Sequence, residues 1–140
     1  MEVLHREDRI VMLFEGGPHR TIFLKKTNHD DAIPTWNGHS IGHWEGKVLK
    51  VETTSFKGDY WAMGQPMSPD AVLTEEYSLS PNGKVLQVYA TFSDPAYYKE
   101  PFHRMFYADS SPDTELVEYD CVEGKGDQAL AIYELQGTKK

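Results

Sequence analysis

Three histidines and two aspartates stand close together between positions 29 and 43, in the order His29, Asp30, Asp31, His39 and His43. Histidine and carboxylate side chains are common metal ligands, so one interpretation of this segment is a metal site. The spacing matches no established template, because it contains neither an HExxH motif nor a cysteine cluster. The other interpretation is a solvated loop, since Asn and Asp side chains stabilise turns. We predict no bound metal and no cofactor.

His39 is the leading candidate for acid–base chemistry. An imidazole titrates near neutral pH, and a carboxylate beside it can fix which ring nitrogen carries the proton. A hairpin with Glu45-Gly46 at its turn would place Glu52 directly across from His39. The alternative is a purely structural cross-strand pair of the same two residues.

Glu75 forms a second candidate set with Tyr77 and Tyr89. A carboxylate among aromatic rings can act as an acid or a base, which makes Glu75 a predicted catalytic residue. The alternative is that Glu75 lies in solvent, as most glutamates do. His103 follows Pro101-Phe102 and could point towards either face of a sheet.

Nucleophilic catalysis finds no support in the sequence. Cys121 lies beside Asp120 and Glu123, whose negative charges disfavour a reactive thiolate. The chain contains no GxSxG elbow and no glycine-rich phosphate loop.

A long connection between Ser55 and Ala71 is rich in aromatic residues and methionine, including Tyr60, Trp61 and Met67. Such a segment could be a lid over a cavity or a contact in a homodimer, because Met adapts to apolar ligands and Trp and Tyr are enriched in interfaces. Tyr97 raises the same choice. The predicted substrate-binding residues are Trp36, His43, Tyr60, Trp61, Tyr77, Tyr89, Tyr97 and His103.

The composition argues against several classes of partner. The 140 residues include 22 acidic and 14 basic side chains, a net charge of -8. Nucleic acids and anionic membranes need a basic face, so we expect neither as a partner. Cys121 is the only cysteine, so no internal disulfide is expected. Met1–Arg6 lacks the pattern of a signal peptide, so we expect a cytoplasmic chain, or an exported one if it is a processed form.

The chain predicts an all-β fold. Its 11 glycines and 8 prolines separate short apolar runs, a pattern typical of antiparallel strands joined by turns. We predict strands at Glu2–His5, Arg9–Phe14, Arg20–Lys25, Ser40–Trp44, Lys47–Thr54, Val72–Leu79, Val85–Phe92, Phe102–Tyr107 and Glu115–Tyr119, and a helix at Asp127–Leu135. So many strands must hide their edges, which favours a closed barrel of about eight or nine strands. We expect one domain over residues 1–140, with a core to 121 and an extension from 122.

The first hairpin has two distinguishable faces. If Trp44 pairs with Lys47, then Ser40, Gly42, Trp44, Leu49 and Val51 share one face. This face is predicted to be core packed around Trp44. The opposite face is mixed and carries His39, Ile41, His43, Val48, Lys50 and Glu52.

The second hairpin is predicted to turn over three residues, Pro81-Asn82-Gly83. That register puts Leu73, Glu75, Tyr77 and Leu79 on one face with Val85, Gln87, Tyr89 and Thr91. Neither face is then purely apolar, as expected for a barrel wall around a ligand cavity. The alternative is a register one residue away, which would exchange the two faces of one strand.

The stretch from Gly38 to Thr53 resembles a largely uncharacterised bacterial family whose signature reads GHSxGxWEGxxLxVxT. Its further motifs are matched by Glu75-Glu76-Tyr77, by Asp94-Pro95-Ala96-Tyr97-Tyr98-Lys99-Glu100-Pro101 and by Glu118-Tyr119-Asp120-Cys121. The resemblance implies a lipocalin-like β-barrel and no particular activity. The family usually has Arg where His43 stands, and a histidine-containing loop where Gln65–Pro69 stands.

Together these features predict a small-molecule-binding barrel. If it is an enzyme, we expect a cofactor-free isomerase, cyclase or lyase acting on a small apolar or aromatic substrate. His39 would be the acid or base, Glu52 would orient it, and Glu75 would be a second proton-transfer group. The alternatives are a non-catalytic carrier or sensor, and a dimeric interaction module.

Overall fold

A computed structural model describes residues 1–15, 17–61 and 65–116, and the side chains of Tyr60 and Trp61 are not part of that description. Every regular element in these ranges is a strand, so the prediction of an all-β fold is confirmed. The strands are β1 (Glu2–His5), β2 (Arg9–Leu13), β3 (Arg20–Phe23), β4 (His39–Glu45), β5 (Val48–Thr54), β6 (Asp59–Trp61), β7 (Gln65–Met67), β8 (Val72–Leu79), β9 (Val85–Ser93) and β10 (Phe102–Asp109). The predicted helix Asp127–Leu135 and most of the predicted strand Glu115–Tyr119 lie outside the described residues.

Eight strands form one sheet in the order β1-β2-β3-β4-β5-β8-β9-β10, and this sheet curls into a half-barrel. The curl brings His5 of β1 close to Trp44 of β4, with ring centroids 6.2 Å apart, although two strands lie between them. Adjacent strands are about 4.8 Å apart, so such a contact requires the sheet to bend towards the face that carries both rings. We call this the inner face and the opposite one the outer face. No helix suited to crossing a membrane is found in the described ranges.

One strand pair departs from the antiparallel prediction. β3 and β4 pair in parallel, with Ile22 opposite Ser40 and Phe23 opposite Ile41. Parallel neighbours cannot be joined by a tight turn, so the chain between them, residues 24–38, crosses over the sheet. We call this segment the crossover.

The β4–β5 hairpin has the predicted faces but different partners. Its turn is Gly46-Lys47, with Gly46 at φ +60°, so Glu45 pairs with Val48. Each partner is displaced by two residues from the prediction, and an even displacement leaves the faces unchanged. Glu52 therefore lies opposite Ile41 instead of His39.

The β8–β9 register predicted from a three-residue turn is wrong by one residue. Ser80 and Val85 close a four-residue loop, in which the Ser80 N–H donates to the Val85 carbonyl at 2.8 Å. The Asn82 side-chain oxygen accepts from the Lys84 N–H at 3.1 Å and holds the loop. Consequently Leu73, Glu75, Tyr77 and Leu79 share a face with Leu86, Val88, Ala90 and Phe92. One face is apolar and the other polar, so the mixed faces expected for a cavity wall are not observed.

The inner face is packed by side chains and forms the core. One buried cluster contains Ile10, Met12, Ile22, Leu49, Val51 and Tyr77, and a second contains Phe56, Met67, Ala71, Leu73, Ala90 and Phe92. Ile22 is the centre of the first cluster, since it is 0% exposed. Trp44 is 50% exposed at the end of this face, so the prediction of a core packed around it is wrong.

The described residues of the connection from Ser55 to Ala71 pack against the core, with Phe56, Met67 and Ala71 in its second cluster. Its middle part forms the two-stranded sheet β6–β7, in which Asp59 pairs with Met67. Met67 is 2% exposed, and the Tyr98 hydroxyl donates to the Pro66 carbonyl at 2.9 Å. The Asp94 carboxylate accepts from the backbone N–H and the hydroxyl of Ser68, at 2.6 and 2.8 Å. Met67 therefore belongs to the core instead of a mobile lid.

Candidate functional site

A groove of about 640 Å³ lies on the outer face, and two rows of side chains form its floor. Each row crosses β4, β5, β8 and β9 through directly paired positions. The first row is Ile41, Glu52, Thr74 and Thr91, and the second is His43, Lys50, Glu76 and Tyr89. These residues come from the mixed face predicted for β4 and β5 and from the polar face of β8 and β9.

The second row contains two side chains that contact carboxylates. Lys50 donates to the Glu76 carboxylate, its cross-strand partner. His43 Nε2 lies 3.2 Å from Glu45 Oε1, and the residues of both pairs line the groove. Because both pairs are exposed, they contribute little to stability and remain available to a ligand.

Tyr89 and His103 form an aromatic shelf at the β10 side of the groove. The two rings stack with centroids 5.4 Å apart and planes inclined by 15°. The Thr91 hydroxyl lies 2.9 Å from His103 Nδ1 and fixes the imidazole against the tyrosine. Tyr89 lines the groove, whereas His103 supports it from the neighbouring strand.

The crossover supplies the upper wall of the groove through Thr27, Asn28 and His29. Its start is fixed by the Leu24 N–H, which donates to the Asp8 carbonyl at 2.8 Å. Its end is fixed at Thr35, whose N–H donates to the Ser55 carbonyl at 3.1 Å. These two anchors hold His29 over β4 and β5.

His29 links the two residues that were predicted to contact each other directly. His29 Nδ1 lies 2.8 Å from His39 Nδ1, and His29 Nε2 lies 3.5 Å from Glu52 Oε1. The imidazole of His39 stacks on Phe23 at a centroid distance of 5.1 Å, and its Nε2 accepts from Lys26 Nζ at 3.4 Å. Glu52 therefore orients His29, and His29 in turn orients His39.

Burial lowers the pKa of His39 below its ordinary value, and the charges of Lys26 and His29 act in the same direction. His39 is consequently neutral at pH 7, with one ring nitrogen able to accept a proton. His29 is the more enclosed partner of its contact with Glu52, since the two side chains are 17% and 57% exposed.

Glu75 and Tyr77 are directed to the inner face, away from Tyr89 and the groove. Arg20 donates to both Glu75 carboxylate oxygens, to the Tyr77 hydroxyl at 2.9 Å and to Thr53 Oγ1 at 2.8 Å. Its Nε donates to Ser40 Oγ at 3.1 Å, and the Tyr77 hydroxyl donates to Glu75 Oε1 at 2.8 Å. The backbone of Glu75 borders the groove, but its carboxylate is bound on the opposite side of the sheet.

The ionisation of this network is fixed by its own contacts. Burial alone would lower the pKa of Arg20, but the hydrogen bonds and the charge of Glu75 outweigh it and raise the pKa. Burial also raises the pKa of the Tyr77 hydroxyl. Arg20 is thus a permanent cation paired with Glu75 inside the core, and removing either partner would leave the other charge buried and uncompensated.

Of the other predicted aromatic residues, Trp36 and Tyr97 do not line the groove. Trp36 is 61% exposed in the crossover and has Lys57 Nζ 5.3 Å from its ring centroid. Tyr97 is 55% exposed in the loop after β9. The side chains of Tyr60 and Trp61 lie outside the described residues.

Sequence reasoning missed the individual roles of His29, Lys26 and Arg20. His29 was grouped with Asp30 and Asp31 as a metal or loop cluster, because nothing in the spacing indicates that the crossover returns over β4. Within the ranges that the structure describes, no three His, Cys, Asp or Glu side chains form a group suited to a metal ion. Arg20 stands at the start of a short strand, where its position gives no sign of burial.

Comparison of the chain with protein-family models, with curated proteins and with solved structures finds no match. The function proposed below therefore rests on the fold and on the geometry of the groove.

Proposed function

We propose that the protein binds a small molecule in the outer-face groove and transfers a proton to or from it. The observation that carries this proposal is the contact of Glu52 with His29 in the groove wall, at 3.5 Å, backed by the 2.8 Å contact of His29 with His39. A carboxylate whose imidazole neighbour is itself oriented has the arrangement used in general acid–base catalysis.

Glu52 is the group that touches the ligand in this proposal. Its carboxylate takes a proton from a C–H or O–H group of the ligand, and the Nε2–H of His29 stabilises it between turnovers. In an isomerisation the same carboxyl group returns the proton to another atom of the ligand. In an elimination it passes the proton to the leaving group, which departs with the electron pair of its broken bond. His39 is a positioning residue, since it contacts His29 and is absent from the groove lining.

The groove favours a flat ligand with hydrogen-bonding groups. His103 stacks on the ring of Tyr89 and holds it in place. The ring can therefore stack on a ligand without first having to be ordered. Thr74 and Thr91 offer hydroxyl groups in the neighbouring row. An aromatic or unsaturated molecule with polar substituents could stack on the ring and form hydrogen bonds with the hydroxyl groups. This proposal refines the apolar or aromatic substrate expected from sequence.

A fragment screen observed by backbone-amide NMR tests the binding step. We expect hits to perturb Glu52, Thr74 and Thr91, and Tyr89→Ala to weaken them about tenfold. Tyr97→Ala removes an exposed tyrosine outside the groove and is the matched control. A screen without hits, or with hits elsewhere on the surface, would exclude the groove as a binding site.

Proton transfer is tested with the hits in D₂O, by following exchange of ligand C–H for C–D in ¹H NMR spectra. We expect exchange with the wild type and a large loss in Glu52→Gln, with Glu100→Gln, at an exposed position outside the groove lining, as the matched control. Binding without exchange in the wild type would support the carrier or sensor alternative and reject the catalytic step. The homodimer through the Tyr60–Met67 segment remains a separate prediction.

A further inference from the structure

The two histidines next to the groove form one end-to-end pair joined through their Nδ1 atoms. His29 Nδ1 and His39 Nδ1 are 2.8 Å apart, so one proton lies between them in a hydrogen bond. The outer nitrogens of the pair are the two Nε2 atoms. Two neutral imidazoles carry two protons in total, so the second proton lies on one of these outer nitrogens.

The outer nitrogens face groups of opposite character. His39 Nε2 faces the ammonium of Lys26 at 3.4 Å, and His29 Nε2 faces the carboxylate of Glu52 at 3.5 Å. An ammonium group only donates hydrogen bonds and an ionised carboxylate only accepts them. Only one distribution of protons suits both outer groups: His39 carries its proton on Nδ1, and His29 carries its proton on Nε2.

We propose that Lys26, which is absent from the groove lining, is a positioning residue that fixes the tautomers of both imidazoles and so presents an N–H to Glu52. Lys26 donates to His39 and His39 donates to His29, which leaves the Nε2–H of His29 facing the Glu52 carboxylate at 3.5 Å. The consequence for catalysis rests on the proposed function, whereas the tautomers themselves do not.

The contact between Lys26 and His39 depends on pH, because it requires an unprotonated His39 Nε2. A third proton on the pair occupies the remaining outer nitrogen, His39 Nε2, and leaves Lys26 without an acceptor. The contact between Lys26 and His39 therefore exists only with the neutral pair, and Lys26 opposes protonation. The lowered pKa of His39, caused first by burial and then by Lys26 and His29, agrees with this direction.

The charged groups around the pair are few. The crossover contributes Lys26 and the exposed Asp30 and Asp31, and β5 contributes Glu52. On β2, the guanidinium of Arg9 lies 5.6 Å from the centroid of the Phe23 ring, on which His39 stacks. Arg9 is bound by Asp8, so Lys26 is the cation that directly contacts the pair.

The test is long-range ¹H–¹⁵N NMR of the imidazole rings, which distinguishes protonated from unprotonated ring nitrogens. At pH 7.5 or above we expect His39 protonated on Nδ1 and His29 on Nε2. Lys26→Met keeps an unbranched side chain but removes the ammonium, which donates to His39 and also lies 4.8 Å from the centroid of the Phe23 ring. In this variant we expect an increased share of the Nε2–H tautomer of His39 and an upward shift of its titration midpoint.

Lys25→Met is the matched control, because Lys25 is the adjacent residue and pairs with Glu7. It should leave both the tautomers and the midpoint unchanged. Nε2–H on His39 in the wild type, or equal responses to the two lysine variants, would overturn the inference. A ligand screen without hits but with the expected tautomers would reject the proposed function and leave the inference intact.

Discussion

The buried guanidinium of Arg20 uses all five of its N–H groups. They are taken up by Ser40, Thr53, Tyr77 and both carboxylate oxygens of Glu75. The side chains of Arg20 and Glu75 are 14% and 8% exposed, so neither charge can be left alone without a large desolvation cost. The side chain of Glu75 has this structural role in the core, and the proposed proton transfer rests on Glu52 and His29 instead.

Removing one partner of the buried pair should destabilise the fold more than replacing both. We expect Glu75→Ala to lower the free energy of unfolding by about 3 kcal/mol, because Arg20 would remain buried and uncompensated. The double substitution Arg20→Met with Glu75→Leu should recover most of this loss. Urea titration followed by tryptophan fluorescence measures both, and a small loss in Glu75→Ala would contradict the structural role.

The lowered pKa of His39 predicts a pH-dependent stability. The unfolded chain has the ordinary histidine pKa of about 6.5, so below it the unfolded state binds more protons than the folded state. The contribution of His39 to the free energy of unfolding is therefore fully present above about pH 6.5. It decreases as the pH falls towards the pKa of His39 in the folded state.

Urea titrations from pH 5 to 8 measure this dependence. His39→Gln should flatten the profile, with His19→Gln, at an exposed position, as the control. Equal slopes for the wild type and His39→Gln would refute the prediction.

At the scale of elements, the sequence predicted which side chains alternate between the two faces of a strand, whereas it did not predict the lengths of the turns. The faces of β4 and β5 were predicted correctly, because a displacement of two residues preserves them. The four-residue loop after Ser80 reversed the faces of β9 relative to β8, because Ser80 and Asn82 close it through side-chain contacts that the Pro-Asn-Gly pattern does not specify. The parallel β3–β4 pair, and hence the position of His29, could not be predicted from local patterns.

Gly38 precedes His39 and determines how β4 begins. It has φ +67°, and an added Cβ would lie 2.7 Å from Thr53 Cγ2 and 2.8 Å from Phe56 Cε1. We expect Gly38→Ala to cost about 3 kcal/mol of unfolding free energy and to shift the His39 and His29 NMR signals.

Gly46 provides the matched control for that substitution. It has φ +60°, but its added Cβ meets nothing within 4 Å. Gly46→Ala should therefore cost about 1 kcal/mol, the conformational part alone, and leave the histidine signals in place. Equal losses for the two variants would show that the close approach at Gly38 is unimportant.

At the scale of the whole molecule, the inner face of the half-barrel is filled and the outer face carries the groove. A lipocalin-like barrel was expected to hold its ligand inside, but the two core clusters and the Arg20 network occupy that face. The described part of the chain therefore offers its ligand-sized space between the sheet and the crossover.

The two core clusters should unfold together, because they share β5, β8 and β9 or their direct continuations. Ile22→Ala removes volume from the first cluster and Phe92→Ala from the second, at expected costs of about 3 and about 4 kcal/mol. Calorimetry should record a single transition at a lower temperature for each variant. Two separate transitions would mean that the clusters belong to independent units.

The order of strands in the sheet follows the order of strands in the chain, with β6 and β7 set aside in their own small sheet. Most pairings are consequently made between segments that are near neighbours in sequence, and such topologies fold faster than sheets built from distant strands. The lining of the groove comes from a continuous stretch between Thr27 and Thr91. During synthesis, every residue that lines the groove has left the ribosome once β9 has emerged, and His103, which supports Tyr89 from β10, follows.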